Sequence, residues 1–321
     1  MDINDILQII VSPTTAAFAL AAIGLNFHYG LTGLLNMGQA GFMLIGMYGY
    51  AITVSQGGSM WLGILVAFVG AVLFALFLGW PTLRLRGDYL AIVTIAAAEL
   101  VRLIGRSQWL KEWTGGNTGI RGKDFKGPFE QLSPFPEKLI RLGPWQFHGS
   151  LSNSWWLILV GWGLVAIFAL LFWRLKNSPW GRVHKGIRED EDAVRSLGKN
   201  VYSFKMQSLV IGGVIGALGG IVWAHGNAIS PDSMGRTTTF WIWTMLLLGG
   251  AATVFGPILG TMLFWALFVA IKQLGPLLLP NLQSTQVEPL ALAFVGLGLI
   301  LLIVFRPQGI LGDKREIAIN G

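Results

Sequence analysis

The stretch "MWLGILVAFVGAVLFALFLGW", residues 60–80, runs for twenty-one positions without a charged side chain. An α-helix rises 1.5 Å per residue, so a helix of this length matches the roughly 30 Å hydrocarbon core of a bilayer. An uncharged run of this length is typical of a transmembrane helix rather than of a buried helix in a soluble protein. The stretch therefore predicts a membrane-spanning helix.

The rest of the chain has the same character. Only 12% of its 321 residues are charged and 53% are hydrophobic, whereas soluble domains carry roughly a quarter of charged residues. Nine stretches are predicted to span the membrane: 13–31, 36–54, 61–80, 88–105, 155–173, 204–225, 240–256, 260–279 and 288–305. We expect an all-α polytopic membrane protein with about nine transmembrane helices (eight to ten), forming a single transmembrane domain over residues 1–321.

The second stretch, 36–54, is rich in glycine and is predicted to be a broken or re-entrant helix. Irregular backbone is tolerated at membrane depth only where protein buries it or where it lines a cavity. If 36–54 crosses the membrane, the N-terminus is expected outside. If 36–54 is re-entrant, the N-terminus lies on the cytoplasmic side and the predicted positions of the other spans and loops do not change.

Lys and Arg predict the orientation. They concentrate in residues 81–87, 174–203 and 306–321, which fall on one side of the membrane if the spans alternate, and the short loops of the other side hold almost none. The positive-inside rule places the first set in the cytoplasm. Segment 105–154 then lies outside, and its Trp, Pro and Gly predict a folded cap with Trp at the headgroup level; a mobile loop is the alternative.

The residue types argue against an enzyme. The four His have no metal-ligand spacing, there is no Cys, and neither a G-x-S-x-G elbow nor a phosphate-binding G-x-x-x-x-G-K-[ST] loop occurs. The net charge of +7 is accounted for by cytoplasmic Lys and Arg. We expect no catalytic residue, cofactor, metal site or nucleic-acid partner.

Three glycines recur at four-residue spacing in "GGVIGALGGIVWAH": Gly212, Gly216 and Gly220. On a helix this spacing makes a smooth stripe where another helix backbone can approach closely. Helix packing is the interpretation we prefer, and a direct role toward a substrate is the alternative.

Span 88–105 contains two ionisable residues, Glu99 and Arg102, three positions apart on one helix face. Such groups are costly within a membrane and are usually paired and turned toward the bundle interior. The pair is either a structural lock near the outer end of the helix or part of a substrate path.

The densest charge lies in "GIREDEDAVRSLGKN", residues 186–200. Ser178 and Pro179 read as the N-cap and first residue of a preceding helix, and Gly198 as a terminator. Ile187, Val194 and Leu197 form an apolar stripe too thin to enter the bilayer. The pattern fits both a short helix packed on another protein and a solvated charged loop.

The chain resembles the LivM-type permease subunits of branched-chain amino-acid ABC transporters. Four stretches carry the resemblance in the family's order: "GLTGLLNMGQAGFMLIGMYGYA" (30–51), "GDYLAIVTIAAAELVRLI" with "TGGNTGI" (87–104 and 114–120), "SPWGRVHKGIREDEDAVRSLG" (178–198) and "FRPQGILG" (305–312). Asn36 and Gln39 stand where many relatives have Ser and His, which leaves the solute open.

The resemblance implies that the charged segment, within a cytoplasmic loop at about 174–203, is a coupling helix seated on an ATPase. "DAVRSLG" (192–198) keeps the spacing of the E-A-A-x-x-x-G docking loop of importer permeases, with Asp for Glu. The implied coupling residues are Arg188, Glu189, Asp190, Glu191, Asp192, Ala193 and Gly198. The implied partners are two ATP-binding subunits (LivG/LivF-like), a LivH-like second permease and an extracytoplasmic solute-binding protein, in the inner membrane of a prokaryote.

A free amino acid carries an ammonium and a carboxylate, so its path needs polar groups or water. Few deep polar residues are placed to help, and we expect Asn36, Gln39, Thr94 and Glu99 to line a cavity shared with the second permease; glycines that merely pack are the alternative. The solute is then a branched-chain or other neutral amino acid, with urea or a short-chain amide as the alternative in the same family. An ion-coupled secondary transporter is the alternative from another class.

Overall fold

The structure, a computed structural model, describes residues 3–84, 87–143, 145–149, 154–278, 284–306 and 308–312. It is mostly helical. The α-helices are α1 (Ile3–Val11), α2 (Pro13–Leu25), α3 (Gln39–Ser55), α4 (Met60–Thr82), α5 (Gly87–Arg106), α6 (Lys111–Thr114), α7 (Gly127–Glu130), α8 (Trp155–Asn177), α9 (Pro179–Glu189), α10 (Glu191–Ser196), α11 (Val201–Gly226), α12 (Arg236–Gly249), α13 (Gly256–Leu278) and α14 (Ser284–Phe305). A π-helical turn, Asn26–Leu31, continues α2, and 3₁₀ turns occupy Gln108–Leu110, Gly116–Thr118, Gly122–Asp124 and Pro231–Met234.

Five helices of more than ten residues begin directly after a polar side chain that caps their first turn. In each case the side-chain oxygen accepts a hydrogen bond from the backbone N–H three residues later. These residues are Ser12, Ser59, Ser154, Ser178 and Asn200. The Ser178–Pro179 start of α9 is as the sequence predicts, because proline fits the first helical position and has no N–H to leave unpaired.

The bundle has two ends, named here by what lies on them. At the α9 end, the residues after α4 share a cleft with α10 and the start of α11. At the cap end, Ser55 of α3 and Gln56 line a second cleft with residues of the segment 112–124, which belongs to the cap, the described part of residues 107–154. The chain therefore alternates in direction through α3, α4, α5, α8 and α11.

Helices α2, α3 and α11 form the centre of the bundle, and α2 is buried almost on every side. The outer helix α4 buries a narrow stripe that includes Ala67, Ala71 and Ala75 and leaves large apolar side chains on its other faces. Phe77, for example, is 73% exposed. Water would make such a surface unfavourable, so the outer helices face an apolar environment.

Within the described residues, four helices are long and apolar enough to cross a membrane: Met60–Thr82, Trp155–Asn177, Val201–Gly226 and Gly256–Leu274. A fifth candidate is the pair Asn4–Val11 and Pro13–Leu31, which bends by 46°. Each of the nine predicted spans contains a helix, but the total of nine crossings stays a prediction.

One expected helix boundary is wrong. The helix expected at 240–256 runs instead from Arg236 to Gly249, because Gly250 (φ 110°) and Ala252 (φ 61°) turn the chain sharply.

The cap contains a short hairpin as well as helical turns. In it β1 (Leu139–Leu142) pairs antiparallel with β2 (Trp145–His148). Strands of four residues are too short to give a periodic signal in the sequence.

Candidate functional site

A non-helical segment, residues 33–38 (the unwound segment), interrupts the chain between the π turn and α3. It starts at Gly33, whose φ of 69° is a left-handed conformation that stops the helix. It ends at Gly38, where a Cβ atom would lie only 2.4 Å from the carbonyl oxygen of Thr94. Glycine is thus required at one end by conformation and at the other by space. The expectation of a broken helix at 36–54 fits this segment followed by α3.

The side chains of Asn36 and Gln39 close a hydrogen-bond network around the unwound segment. Asn36 donates through Nδ2 to His28 Nδ1 (3.0 Å) and to Gln39 Oε1 (3.1 Å), and its Oδ1 accepts from Gly38 N (2.8 Å). Gln39 Nε2 donates to the carbonyls of Ala21 (3.1 Å) and Gly212 (3.3 Å). Both side chains are fully buried. In this conformation their amide groups are engaged by the protein itself.

His28 joins this network to α11. Its Nδ1 accepts from Asn36, so Nε2 carries the proton and donates to the carbonyl oxygen of Leu209 (3.1 Å). The imidazole is therefore neutral with a defined tautomer. It is a packed histidine with both ring nitrogens hydrogen-bonded.

Two further contacts hold the unwound segment from other sides. The hydroxyl of Thr94 on α5 accepts a hydrogen bond from Met37 N (3.0 Å) and donates to Ala91 O (3.0 Å). The indole of Trp243 on α12 donates to Asn36 O (3.0 Å). Helices α5 and α12 thus bond directly to the unwound segment, and α11 is joined to it through His28 and Gln39. A movement of any of these helices would displace the segment.

The glycines of α11 lie where α2 and α3 approach its backbone. A Cβ at Gly212 would be 2.3 Å from Gly24 O and from His28 Nε2, one at Gly216 would be 2.5 Å from Gln39 Nε2, and one at Gly220 would be 2.0 Å from Met43 O. Real Cβ atoms do not come this close to other heavy atoms. The stripe therefore sits against α2, the π turn and α3, the elements on either side of the unwound segment.

A cluster of opposite charges lies on α5 toward the cap end. Glu99 accepts from Arg102 Nε (3.1 Å), Arg102 also pairs with Asp232, and Arg106 lies 3.5 Å from Asp232. Arg236, at the start of α12, approaches Glu99 to 4.0 Å. The predicted local pair of Glu99 and Arg102 is present, but it belongs to a larger network that Asp232 and Arg236 bring from a distant part of the sequence.

A narrow crevice connects this charge cluster to the unwound segment. Its walls include Met37, Ile95 and Ala98, with Glu99 and Arg236 at one side, and its volume is about 10 Å³. That space holds at most about one water molecule. The seam between α5 and α12 is therefore closed to an amino acid in this conformation.

At the α9 end, the charged segment forms two short helices. Asp190 ends α9 and caps α10, its Oδ1 accepting from Asp192 N and Ala193 N (both 3.0 Å). Of the seven residues that the resemblance assigns to coupling, five are exposed: Glu189, Asp190, Asp192, Ala193 and Gly198. The apolar stripe is only partly as expected, because Ile187 and Val194 are buried while Leu197 is 78% exposed.

Arg188 and Glu191, the other two, turn toward the bundle. Arg188 Nη1 donates to Gly30 O at 2.7 Å, and Glu191 pairs with Lys205 of α11. His184 on α9 faces the carbonyls of Trp180 (2.9 Å) and Phe204 (3.0 Å). Burial lowers the pKa of His184, against the opposing effect of these two carbonyls. The α9–α10 unit is thus fastened to the π turn and to α11.

The sequence predicts Asn36, Gln39, Thr94 and Glu99 as site residues. The structure brings the first three together around the unwound segment, and Glu99 lies five positions after Thr94 on α5. The sequence does not predict the roles of His28, Trp243 and Asp232, or the inward direction of Arg188. Only the histidine offered a signal, because it lies two positions before the first signature, residues 30–51. Within the described residues, no group of three His, Cys, Asp or Glu is placed to hold a metal ion.

Comparison with known proteins gives consistent matches. The family described as "Branched-chain amino acid transport system / permease component" matches residues 7–304. The high-affinity branched-chain amino acid transport system permease protein LivM of Escherichia coli K12 is 29% identical over 315 residues, covering 95% of this chain and 70% of LivM. The LivH permease protein of the same strain is 24% identical over 313 residues, covering 92% of each chain.

A solved structure also aligns with the chain. PsaBC from Streptococcus pneumoniae in complex with Fab covers 98% of this chain and 95% of its own, with a TM-score of 0.46 and 13% sequence identity. A similarity this low carries no detail of that structure over to this chain.

Proposed function

The chain belongs to the branched-chain amino acid transport permease family, and we propose that it forms part of the membrane path of an ATP-driven importer for a branched-chain or other neutral amino acid. The observation that carries the proposal is the family match over residues 7–304, with relatives whose names specify branched-chain amino acids. As a permease component the chain is not itself an enzyme. ATP is hydrolysed on two LivG/LivF-like subunits, and an extracytoplasmic binding protein delivers the solute.

A LivH-like permease is the proposed second membrane subunit, and the α5 face is its proposed contact. Large apolar side chains on this face, Ile92 and Leu100 among them, are more than half exposed. They flank the cluster of Glu99, Arg102 and Arg236, which is costly to present to lipid. A second polypeptide beside α5 would cover the apolar residues and leave the charges facing a shared cavity.

The solute path is proposed along the seam between α5 and α12. Glu99 lines the crevice in this seam, whereas Asn36, Gln39 and Thr94 hold the backbone around Met37 that forms its inner wall. Both signs of charge near Glu99 suit a zwitterion, whose ammonium and carboxylate each need a partner outside water. The crevice of about 10 Å³ has to widen for passage, by movement of α12 relative to α5.

The α9–α10 unit is proposed as the part that meets the ATPase. Its outer surface shows exposed charges and the exposed Leu197, while its inner surface is bonded to Gly30 and Lys205. A force applied to this unit from outside would therefore reach the π turn and α11 together. The unit would lie on the cytoplasmic side of a prokaryotic plasma membrane, with nine crossings and the cap outside.

Cysteine labelling tests this orientation. The chain has no Cys, so one introduced at Asn200 or Asn117 is a unique label site. We expect a membrane-impermeant maleimide to label Asn200→Cys only in inside-out vesicles and Asn117→Cys only in intact cells, because the two positions lie at opposite ends of the bundle. Labelling of both variants from one side would refute the topology.

Uptake measurements test the function. The chain is co-expressed with the permease, ATPase and binding-protein genes of its own operon and reconstituted into proteoliposomes with ATP inside. We expect ATP-dependent uptake of radiolabelled leucine that unlabelled isoleucine and valine compete. Thr94→Leu, which removes the hydroxyl that holds Met37 in the inner wall of the seam, is expected to reduce uptake by about tenfold with assembly preserved, as for loss of one or two hydrogen bonds.

Three other results would each contradict a different part of the proposed function. Uptake of urea or a short-chain amide without leucine competition would assign the chain to the alternative solute class. Uptake that follows an ion gradient in the absence of ATP would indicate a secondary transporter. Normal uptake by both Thr94→Leu and Gln39→Leu would show that these residues only pack, and would remove the seam from the proposed path.

A further inference from the structure

An apolar groove of about 500 Å³ lies on α11, between α4 and α8. Its floor is formed by Leu218, Ile221 and Val222 of α11, and its walls by α4 and α8, for example Ile64 and Leu164. Phe129 of the cap closes it at one end. No part of the proposed solute path reaches this groove.

The wall of the groove presents carbon, and the polar groups of His225, Tyr50 and Trp156 beside it are bonded within the protein. His225 Nδ1 donates to Ile221 O (2.9 Å), and its Nε2 accepts from the hydroxyl of Tyr50 (3.2 Å). The indole N–H of Trp156 donates to Phe129 O (3.2 Å). A hydrophilic solute would find no partner here and would lose its hydration. The groove suits a hydrocarbon.

The length of the groove matches one leaflet of a bilayer. Along α8 its lining extends from Trp156 to Phe168, a distance of about 18 Å in a helix. That is slightly more than half of a hydrocarbon core of roughly 30 Å. The indoles of Trp61 and Trp156 mark the end near the cap, as expected where a span meets the headgroup region.

The groove is continuous with the surface that faces the apolar environment. It lies between α4 and α8, two of the helices long and apolar enough to cross a membrane. At its edges Trp61 is 72% and Ile167 61% exposed, and next to them Leu65 and Leu159 are more than half exposed. A molecule already in the membrane can therefore enter sideways.

We propose that this groove binds one acyl chain of a phospholipid from the leaflet on the cap side. The acyl chain would fill the space on α11 between α4 and α8 and hold these two helices at a fixed separation. The proposal needs only that the chain is a membrane permease, and it is independent of which solute is carried.

Photo-crosslinking tests it with a defined probe. The complete transporter is reconstituted with phosphatidylethanolamine that carries a diazirine in the middle of one acyl chain, and cross-linked peptides are located by mass spectrometry. We expect cross-links on the floor, residues 218–225. Leu164→Trp fills the groove and is expected to reduce those cross-links by about tenfold, because each methylene kept out of the groove loses burial energy.

Leu170→Trp is the matched control, since Leu170 is on the same helix, is 56% exposed and does not line the groove. If Leu164→Trp does not fold, Ile64→Trp with Leu65→Trp as its control repeats the comparison on α4. Cross-links on 218–225 that persist in the groove-filling variants would overturn the proposal. The proposal would also be overturned if the lipid cross-links residues 218–225 in the isolated chain but not in the complete transporter, because another protein would then cover the groove.

Discussion

Arg188→Met is expected to reduce solute uptake by about ten- to a hundredfold while the transporter still assembles and hydrolyses ATP. Arg188 Nη1 donates to Gly30 O at 2.7 Å, and the same side chain lies against the left-handed turn at Gly33. A hydrogen bond from a charged donor contributes about 1.5–3 kcal/mol, which corresponds to the expected range. Without it, the α9–α10 unit can move without carrying the π turn along.

The measurement compares ATP hydrolysis and leucine uptake in the same proteoliposomes. Arg182→Met is the matched control, because Arg182 is on the same helix and exposed. Arg188→Lys, which keeps a charged donor, is expected to restore part of the uptake. If Arg188→Met transports as well as Arg182→Met, the connection to Gly30 has no role in coupling. If it no longer copurifies with the ATPase, Arg188 acts in docking instead.

Much of the helical architecture was predictable because a bilayer dictates element length. Runs such as 60–80 have to be helices of about twenty residues, and α4 (Met60–Thr82) is such a helix. Local capping chemistry was equally readable, as at Ser178 and Pro179. Both signals reside in neighbouring residues, which is why one sequence was enough.

The partners of the buried polar residues were not predictable. Nothing near Gln39 in the sequence shows that its amide meets the carbonyls of Ala21 and Gly212. The sequence predicts that Asn36 and Gln39 line a cavity because an amino acid needs polar groups along its path, and the structure bonds both amides within the chain. The number of polar groups constrains how many bonds are needed, but the tertiary fold decides which atoms make them.

Ion pairs between distant parts of the chain could not be predicted from the sequence for the same reason. Glu99 and Arg102 are close in the chain and were paired correctly, because a helix places such residues on one face. Asp232 lies in a 3₁₀ turn 130 positions further on, and only the packing of that turn against α5 brings it to Arg102. The inward direction of Arg188 likewise depends on where the π turn lies.

Gly220→Ala is expected to have the largest effect on folding of any change considered. A Cβ at this position would lie 2.0 Å from Met43 O and 2.8 Å from Met43 Cα, both backbone atoms of α3 that cannot rotate away. Overpacking of a core costs about 1–3 kcal/mol or more, and here two central helices have to separate. We expect the melting temperature of the purified chain to fall by roughly 5–10 °C, with less protein recovered.

Gly163→Ala separates this clash from any general effect of replacing a glycine. Gly163 is on α8, and nothing lies within 4 Å of the position that its Cβ would take. Alanine there gains about 0.5–1 kcal/mol of helix propensity, so its melting temperature should be unchanged or slightly higher. Equal stability of the two variants would mean that α11 does not approach α3 as closely as the structure has it. The same face of α11 also contacts Gln39, which bonds to Asn36 of the unwound segment. Such a result would therefore also contradict the hydrogen bonds that join α11 to that segment.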